Sequence, residues 1–184
     1  MPDCHERVTI CHLSGFILSG EPNKRPPDWL EQRNSDWIAG RNSSAVGDPV
    51  LIADDSDTDV FFLLRAFAQA RVRNPVYVVR NGAAALDYLA GRRQYSDRAK
   101  YPAPKIVLLD LRMPPPDGFE VLKWKQTHPE MQGVLFVAMS NFGTTQSVNQ
   151  AYAAGASTFL NKPLNSGDVL NLIEAFDQHW CVLQ

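Results

Sequence analysis

The sequence has few cysteines, no long apolar run and no excess of charge of one sign. Its three cysteines, an odd number spread over both ends of the chain, do not make the framework of a disulfide-rich domain. A membrane-spanning helix needs about 18 or more consecutive apolar residues, and no such stretch exists. The formal net charge of -2, with both signs interspersed, excludes a basic surface for nucleic acid. These absences predict an ordinary globular protein of the cytoplasm.

The character of the chain changes near residue 49. Residues 1–48 contain several prolines, glycines, serines and asparagines but no sustained hydrophobic period, which predicts a mobile or weakly structured extension. A short docking helix over residues 27–38 is an alternative for part of it. The extension also contains four soft metal ligands, Cys4, His5, Cys11 and His12. Their spacing is not that of a zinc finger or ribbon, so no zinc site is predicted.

From residue 49 to residue 184, short apolar runs alternate with amphipathic stretches. The runs begin at Val50, Val76, Ile106, Val134 and Thr158. Short buried strands separated by helical segments are typical of a parallel sheet with helices on both faces. We therefore predict one α/β domain with a doubly wound, five-stranded parallel sheet.

Polar side chains stand at the ends of four of these runs. Asp54 and Asp55 follow the first, Asp110 and Ser140 end the third and fourth, and Lys162 follows the fifth. Because the carboxyl ends of parallel strands meet at one edge of a sheet, we expect these side chains in one crevice. Three clustered carboxylates repel one another unless a divalent cation lies between them, and oxygen ligands favour Mg²⁺.

The same groups are those that phosphoryl transfer requires. A carboxylate that accepts a phosphoryl group needs a cation on one phosphoryl oxygen, an ammonium on another and a hydroxyl donor on a third. The transfer is catalysed mainly by the placement of charge, so no other reactive side chain is needed. Asp110 is the predicted acceptor.

These residues, in this order, resemble the receiver domain of bacterial two-component response regulators. The resemblance covers roughly residues 49–180 and rests on six segments: Asp54-Asp55, Leu109 to Pro114, Asp117-Gly118, Ser140, Gly155-Ala156 and Lys162-Pro163. It implies a flavodoxin-like fold with strand order 2-1-3-4-5. It also implies that Asp110 takes a phosphoryl group from the phosphohistidine of a sensor histidine kinase.

The resemblance implies a metal site as well. Asp55, Asp110 and the backbone carbonyl of Arg112 are expected to ligate Mg²⁺ directly. Asp54 is expected to contribute by orienting a water molecule of the metal.

Further roles follow from the same resemblance. Lys162 and Ser140 are expected to bind phosphoryl oxygens, and Phe159 stands at the position of the family's aromatic switch. Arg112 and Phe142 are expected to border the approach of the hydrolytic water. Because both are large, they predict slow loss of the phosphoryl group.

The resemblance also implies partners. The loop over residues 91–104 is longer than usual, as in single-domain receivers that serve phytochromes; a surface insertion without a partner is the alternative. A homodimer or kinase contact is expected through the fourth helix, fifth strand and fifth helix, near Tyr152, Leu164 and Phe176. The chain ends soon after the last predicted helix, at residues 167–180, so output is expected through a protein contact or onward phosphotransfer.

Rival interpretations of the carboxylates are less consistent with the sequence. Residues 55–59 open like a calcium loop, but Val60 and Ala66 stand where a glycine and a glutamate are required. A haloacid-dehalogenase-like phosphatase needs an aspartate where Arg112 stands. A flavodoxin-like cofactor site is disfavoured because the acids after the first strand repel phosphate. A receiver-like interaction module that is never phosphorylated remains the alternative.

Overall fold

The fold is a five-stranded parallel sheet with helices on both faces, seen in a computed structural model that describes residues 47–141 and 143–182. Its elements, in chain order, are β1 (Val50–Ala53), α1 (Asp57–Gln69), β2 (Val76–Val79), α2 (Gly82–Leu89), β3 (Ile106–Asp110), α3 (Gly118–Gln126), β4 (Leu135–Ser140), α4 (Thr145–Ala153), β5 (Thr158–Asn161) and α5 (Ser166–Ala175). Predictions for residues 1–46, including the short helix and the cysteine–histidine group, lie outside the described residues. The same holds for Phe142.

The strands lie in the order β2-β1-β3-β4-β5, which confirms the predicted topology. In the centre of the sheet, Ala53 of β1 lies beside Leu109 of β3, and Asp110 lies beside Met139 of β4. β1, β3 and β4 are buried along their whole length, as expected for apolar strands covered on both faces. This register brings the carboxyl ends of the three strands to one edge.

Alternate residues of each strand contribute to two separate cores. Val50 and Ile52 of β1 pack with α1 and α5 on one face of the sheet, whereas Leu51 and Ala53 pack with α2, α3 and α4 on the other. This alternation is the period of two that a strand imposes on its side chains. Because β1 is packed on both faces, the backbone that leads into Asp54 is fixed in position.

The end of the fifth helix differs from the prediction. The helix was expected to continue to residue 180, but it ends at Ala175, and a 3-10 turn follows over Asp177–His179. The chain then turns so that the Trp180 ring packs edge-on against Phe67, with the ring centroids 5.6 Å apart. The apolar residues after position 175 therefore pack against the core from a 3-10 turn and an extended segment, not from another turn of the α-helix.

The long loop between α2 and β3 folds back on the domain. Its Tyr95 and Tyr101 rings pack against Tyr88 of α2, with ring centroids 5.0 and 6.1 Å apart. The Arg98 guanidinium donates to the carbonyls of Tyr88 and Leu89, each at 2.8 Å. The loop is therefore an ordered insertion beside the edge strand β2. No helix in the part of the chain described is long and apolar enough to cross a membrane.

Candidate functional site

The predicted site residues meet at the carboxyl edge of the sheet. Asp54 and Asp55 follow β1, Asp110 ends β3, and Ser140 ends β4 beside Asn161 of β5. Lys162 comes directly after β5, and its main-chain N–H donates to the Ser140 carbonyl at 3.0 Å. Asp54, Asp110, Ser140 and Lys162 are buried, whereas Asp55 is exposed. The site is therefore a small acidic crevice with a buried ammonium in it.

The Lys162 ammonium is the centre of this crevice. Its Nζ lies 2.7 Å from Asp54 Oδ2 and 2.8 Å from Asp110 Oδ2. A third carboxylate, that of Asp59 in the first turn of α1, lies 3.0 Å from the same nitrogen. An ammonium has three N–H donors, so each donor has one carboxylate partner.

The two buried carboxylates are also held by the backbone. Asp54 Oδ1 accepts from the Ser56 N–H, and Asp110 Oδ1 accepts from the Arg112 N–H, both at 2.9 Å. Gly118, at the start of α3, lies against the Asp110 backbone so closely that a Cβ there would collide with the Asp110 carbonyl oxygen. Both the side chain and the main chain of Asp110 are therefore held in place.

Burial and pairing change the ionisation of two of these groups. Burial raises the pKa of Asp54 from 3.8 to about 6, although its hydrogen bond and ion pair with Lys162 act in the opposite direction. Burial lowers the pKa of Lys162, but its bonds and charge interactions with Asp110 and Asp54 outweigh that effect and raise the pKa above its ordinary value. Lys162 is therefore a permanent cation, and Asp54 takes up a proton at a pH well above that of an ordinary aspartate.

The carboxylates suit a divalent cation. One oxygen from each of Asp54, Asp55 and Asp110 lies within 4.8 Å of the others. Three hard oxygen donors at the ends of two strands match the preference of Mg²⁺ or Mn²⁺ rather than that of a soft metal. The donor set present therefore fits the cation that the sequence predicts.

Two other predicted residues lie on β5 and shortly after β3. Phe159 on β5 is half-buried and packs against the core formed with α2, α3 and α4. A Cβ built on Gly143, in the loop after β4, would lie 3.0 Å from the Phe159 ring, so this loop passes close to that ring. Arg112 comes two residues after the end of β3, and its side chain is exposed.

Sequence reasoning missed the charged groups supplied by α1 and β2. From the sequence alone, Asp57 and Asp59 are explained as first-turn acids favoured by the helix dipole. In the structure, however, Asp59 pairs with Lys162, and Asp57 Oδ1 lies 2.7 Å from the Arg80 guanidinium. Arg80 follows β2, so it too is at the carboxyl edge. The polar residue after that strand was the available signal, since the other functional groups follow strands in the same way.

Comparisons with known proteins agree with this site. A family model of the response regulator receiver domain matches residues 50–174. The probable methanogenesis regulatory protein FilR2 of Methanothrix harundinacea is 28% identical over 131 residues, which are 71% of this chain and 82% of that protein.

Two solved structures are also similar. The bacteriophytochrome response regulator RtBRR has a TM-score of 0.66 and 28% identity, over 74% of this chain and 82% of its own. Response regulator RPA3017, in red light signaling of R. palustris, has a TM-score of 0.63 and 32% identity, over 72% of this chain and 93% of its own. The expected family and fold are confirmed: the chain belongs to the response regulator receiver domain family and has the role of a phosphoacceptor in two-component signalling.

Proposed function

We propose that Asp110 accepts a phosphoryl group from a phytochrome-type sensor histidine kinase. The observation that carries this proposal is the Asp110 carboxylate, buried at the end of β3 with Oδ2 2.8 Å from the Lys162 ammonium. The class of kinase is supported by the similarity to RtBRR, a bacteriophytochrome response regulator, and to RPA3017, a response regulator in red light signaling. Output then occurs through a protein contact or onward transfer of the phosphoryl group.

The proposed transfer forms one bond and breaks another. A carboxylate oxygen of Asp110 attacks the phosphorus of a phosphohistidine, the P–N bond breaks, and the imidazole leaves with the electron pair. Lys162 then pairs with one phosphoryl oxygen, and the Ser140 hydroxyl donates to another. Phe159 packs inward when Ser140 turns towards the phosphoryl group, which carries the change to the surface.

Magnesium is the cation that we propose for this site. Asp55, Asp110 and the Arg112 carbonyl would bind it directly, while Asp54 would orient one of its waters. Bound there, the ion supplies positive charge to the phosphoryl oxygens. Support comes from the three oxygen ligands within 4.8 Å of one another.

Cation binding should depend on pH through Asp54. Its pKa of about 6 lies above the ordinary value, so the metal-free domain binds a proton at Asp54 that a cation must displace. The apparent Mg²⁺ affinity is expected to fall as the pH drops through about 6, by up to about tenfold per unit, and to level off above about 7. Calorimetric titration across this range measures it.

The matched comparison is Asp54→Asn, which cannot titrate. This variant should bind Mg²⁺ less tightly than the parent at neutral pH but with a flatter profile between about pH 5 and 7. An equally steep profile in the variant would assign the proton to another group.

We also propose that Arg112 and Phe142 slow the loss of the phosphoryl group. The exposed Arg112 side chain begins two residues after the acceptor, where its guanidinium can cover a phosphoryl oxygen and exclude water. Dephosphorylation of purified phosphoprotein should therefore be several-fold faster in Arg112→Ala, and faster still with Phe142→Ala added. Equal or slower loss in the double variant would show that these side chains do not restrict the water.

The proposed homodimer or kinase contact through α4, β5 and α5 needs one correction. Leu164 is only 7% exposed and belongs to the core, so it cannot contribute an apolar contact. Tyr152 on α4, which is part of the predicted contact, is about half exposed. Leu170 on α5 is equally exposed and takes the place of Leu164 in the proposal. Light scattering of the phosphorylated and unphosphorylated chain tests the dimer: a monomer in both states would leave only the kinase contact.

Phosphotransfer profiling tests the proposed kinase. The full chain is mixed with a phosphorylated phytochrome-type kinase and, separately, with kinases of other sensor classes. Transfer from the phytochrome-type kinase is expected to be fastest, because recognition of the cognate partner determines the encounter. Equal transfer from every class would contradict the assignment, and no transfer from any would favour the phosphorylation-independent interaction module.

A further inference from the structure

Asp59 is a charged partner of the site that the proposed chemistry does not use. It lies in the first turn of α1, its side chain is 22% exposed, and its Oδ2 is 3.0 Å from Lys162 Nζ. It is not one of the three carboxylates whose oxygens cluster within 4.8 Å. Asp59 therefore touches the ammonium from outside the group of candidate metal ligands.

The ammonium and a cation interact with two of the same carboxylates. Lys162 Nζ contacts Asp54 Oδ2 at 2.7 Å and Asp110 Oδ2 at 2.8 Å, and both carboxylates belong to the candidate ligand set. A cation that binds these carboxylates weakens their pairing with the ammonium. A buried ammonium without an ion-pair partner is strongly destabilising. The free energy of cation binding therefore depends on which carboxylate stays paired with Lys162.

We propose that Asp59 is a positioning residue that keeps Lys162 paired when a divalent cation binds, and so strengthens cation binding. The inference rests on the metal site of the proposed function. With Asp59 present, the ammonium retains one full ion pair outside the ligand set. Without it, the ammonium has only Asp54 and Asp110, the two carboxylates that also take part in the proposed cation site.

Asp57 provides a matched control in the same helical turn. It carries the same charge and is a first-turn acid of α1 as well, but its partner is Arg80, 2.7 Å away at a half-exposed position. Asp57→Asn therefore removes one negative charge near the site without changing the contacts of Lys162. The difference between Asp59→Asn and Asp57→Asn isolates the effect that passes through the ammonium.

The test is calorimetric titration of the full, unphosphorylated chain with Mg²⁺ at moderate ionic strength. Asp59→Asn is expected to weaken Mg²⁺ binding on the order of tenfold, and Asp57→Asn by no more than about twofold, since an exposed charge is largely screened. Equal weakening by the two variants would overturn the proposal. This comparison leaves Lys162 unchanged and is sufficient to test the proposed role of Asp59.

A double-mutant cycle adds an independent readout. If Asp59 acts through the ammonium, Asp59→Asn in a Lys162→Met background should weaken Mg²⁺ binding no more than Asp57→Asn does. An undiminished tenfold effect in that background would show that Asp59 acts on the cation directly and would contradict the inference.

Asp55→Asn separates this inference from the proposed site. Asp55 belongs to the ligand cluster and has no contact with Lys162 among those described. Strong weakening by Asp55→Asn with no difference between the Asp59 and Asp57 variants would overturn only the role of Asp59. Unchanged binding in Asp55→Asn would instead reject the metal site, and the role of Asp59 with it.

Discussion

Asp110→Asn is expected to abolish labelling of the protein by a phosphodonor while leaving the domain folded. The amide is nearly the same size as the carboxylate and still accepts from the Arg112 N–H, which lies 2.9 Å from Asp110 Oδ1. It cannot form an acyl phosphate, so the loss should exceed about a hundredfold, as expected when a nucleophile is removed. Radiolabelling by a small-molecule phosphodonor and by a histidine kinase measures the effect.

The control for this variant is Asp87→Asn. Asp87 on α2 pairs with Arg93, which follows that helix, at 3.2 Å, and it has no contact with Lys162 among the described residues. Labelling of this variant should therefore equal that of the parent. Circular dichroism should be the same for all three proteins. Labelling of Asp110→Asn at the parental level would remove Asp110 from its proposed role.

Lys162→Met is expected to destabilise the metal-free domain by about 3 kcal/mol or more, because it leaves the carboxylates of a buried ion-pair network without their cation. The side chains of Lys162 and Asp54 are 2% and 1% exposed, so water cannot replace the ammonium. Added Mg²⁺ should restore part of the stability by neutralising the same charges. Urea unfolding with and without Mg²⁺ measures both effects.

The stability of this variant should also depend on pH in a defined direction. Lys162 lowers the pKa of Asp54, so its loss raises that pKa above the parental value of about 6. A folded-state pKa above the unfolded value of 3.8 means that the folded domain binds the proton more tightly. The variant should therefore gain stability as the pH falls from about 8 towards 4, and it should gain more than the parent does.

The control is Lys123→Met, on an exposed position of α3. Its free energy of unfolding should stay within about 0.5 kcal/mol of that of the parent. Because its cation site is intact, added Mg²⁺ should stabilise it by the same amount as it stabilises the parent. If Lys162→Met were as stable as Lys123→Met without metal, the ammonium would not be holding the carboxylates together.

The strands and the site could both be predicted from the sequence because the functional residues lie at or just after the strand ends. Apolar runs long enough to be buried strands end in Asp110 and Ser140 or lead directly into Asp54 and Lys162. A parallel sheet then brings these side chains to one edge without further information. The strand order itself came from the resemblance to receiver domains, not from the period of the runs.

Other features were not encoded locally. A first-turn acid such as Asp59 is fully explained by the helix dipole, and its true partner Lys162 is 103 residues away. The early end of α5 was hidden because Phe176 and Trp180 continue a helical spacing. The sequence indicates a loop at Leu164, two residues after Lys162. In the structure this side chain is buried where α5 packs against β4 and α1.

The central claim is that the phosphoryl group forms a bond to the Asp110 carboxylate, and mapping the modified residue tests it most directly. Reduction of the phosphorylated full chain with borohydride converts an acyl phosphate into an alcohol at the labelled side chain, which mass spectrometry of peptides then locates. Conversion is expected at Asp110 alone, and it should require both the phosphodonor and Mg²⁺. Conversion at Asp54, Asp55 or Asp59, or none in a protein that carries label, would contradict this claim.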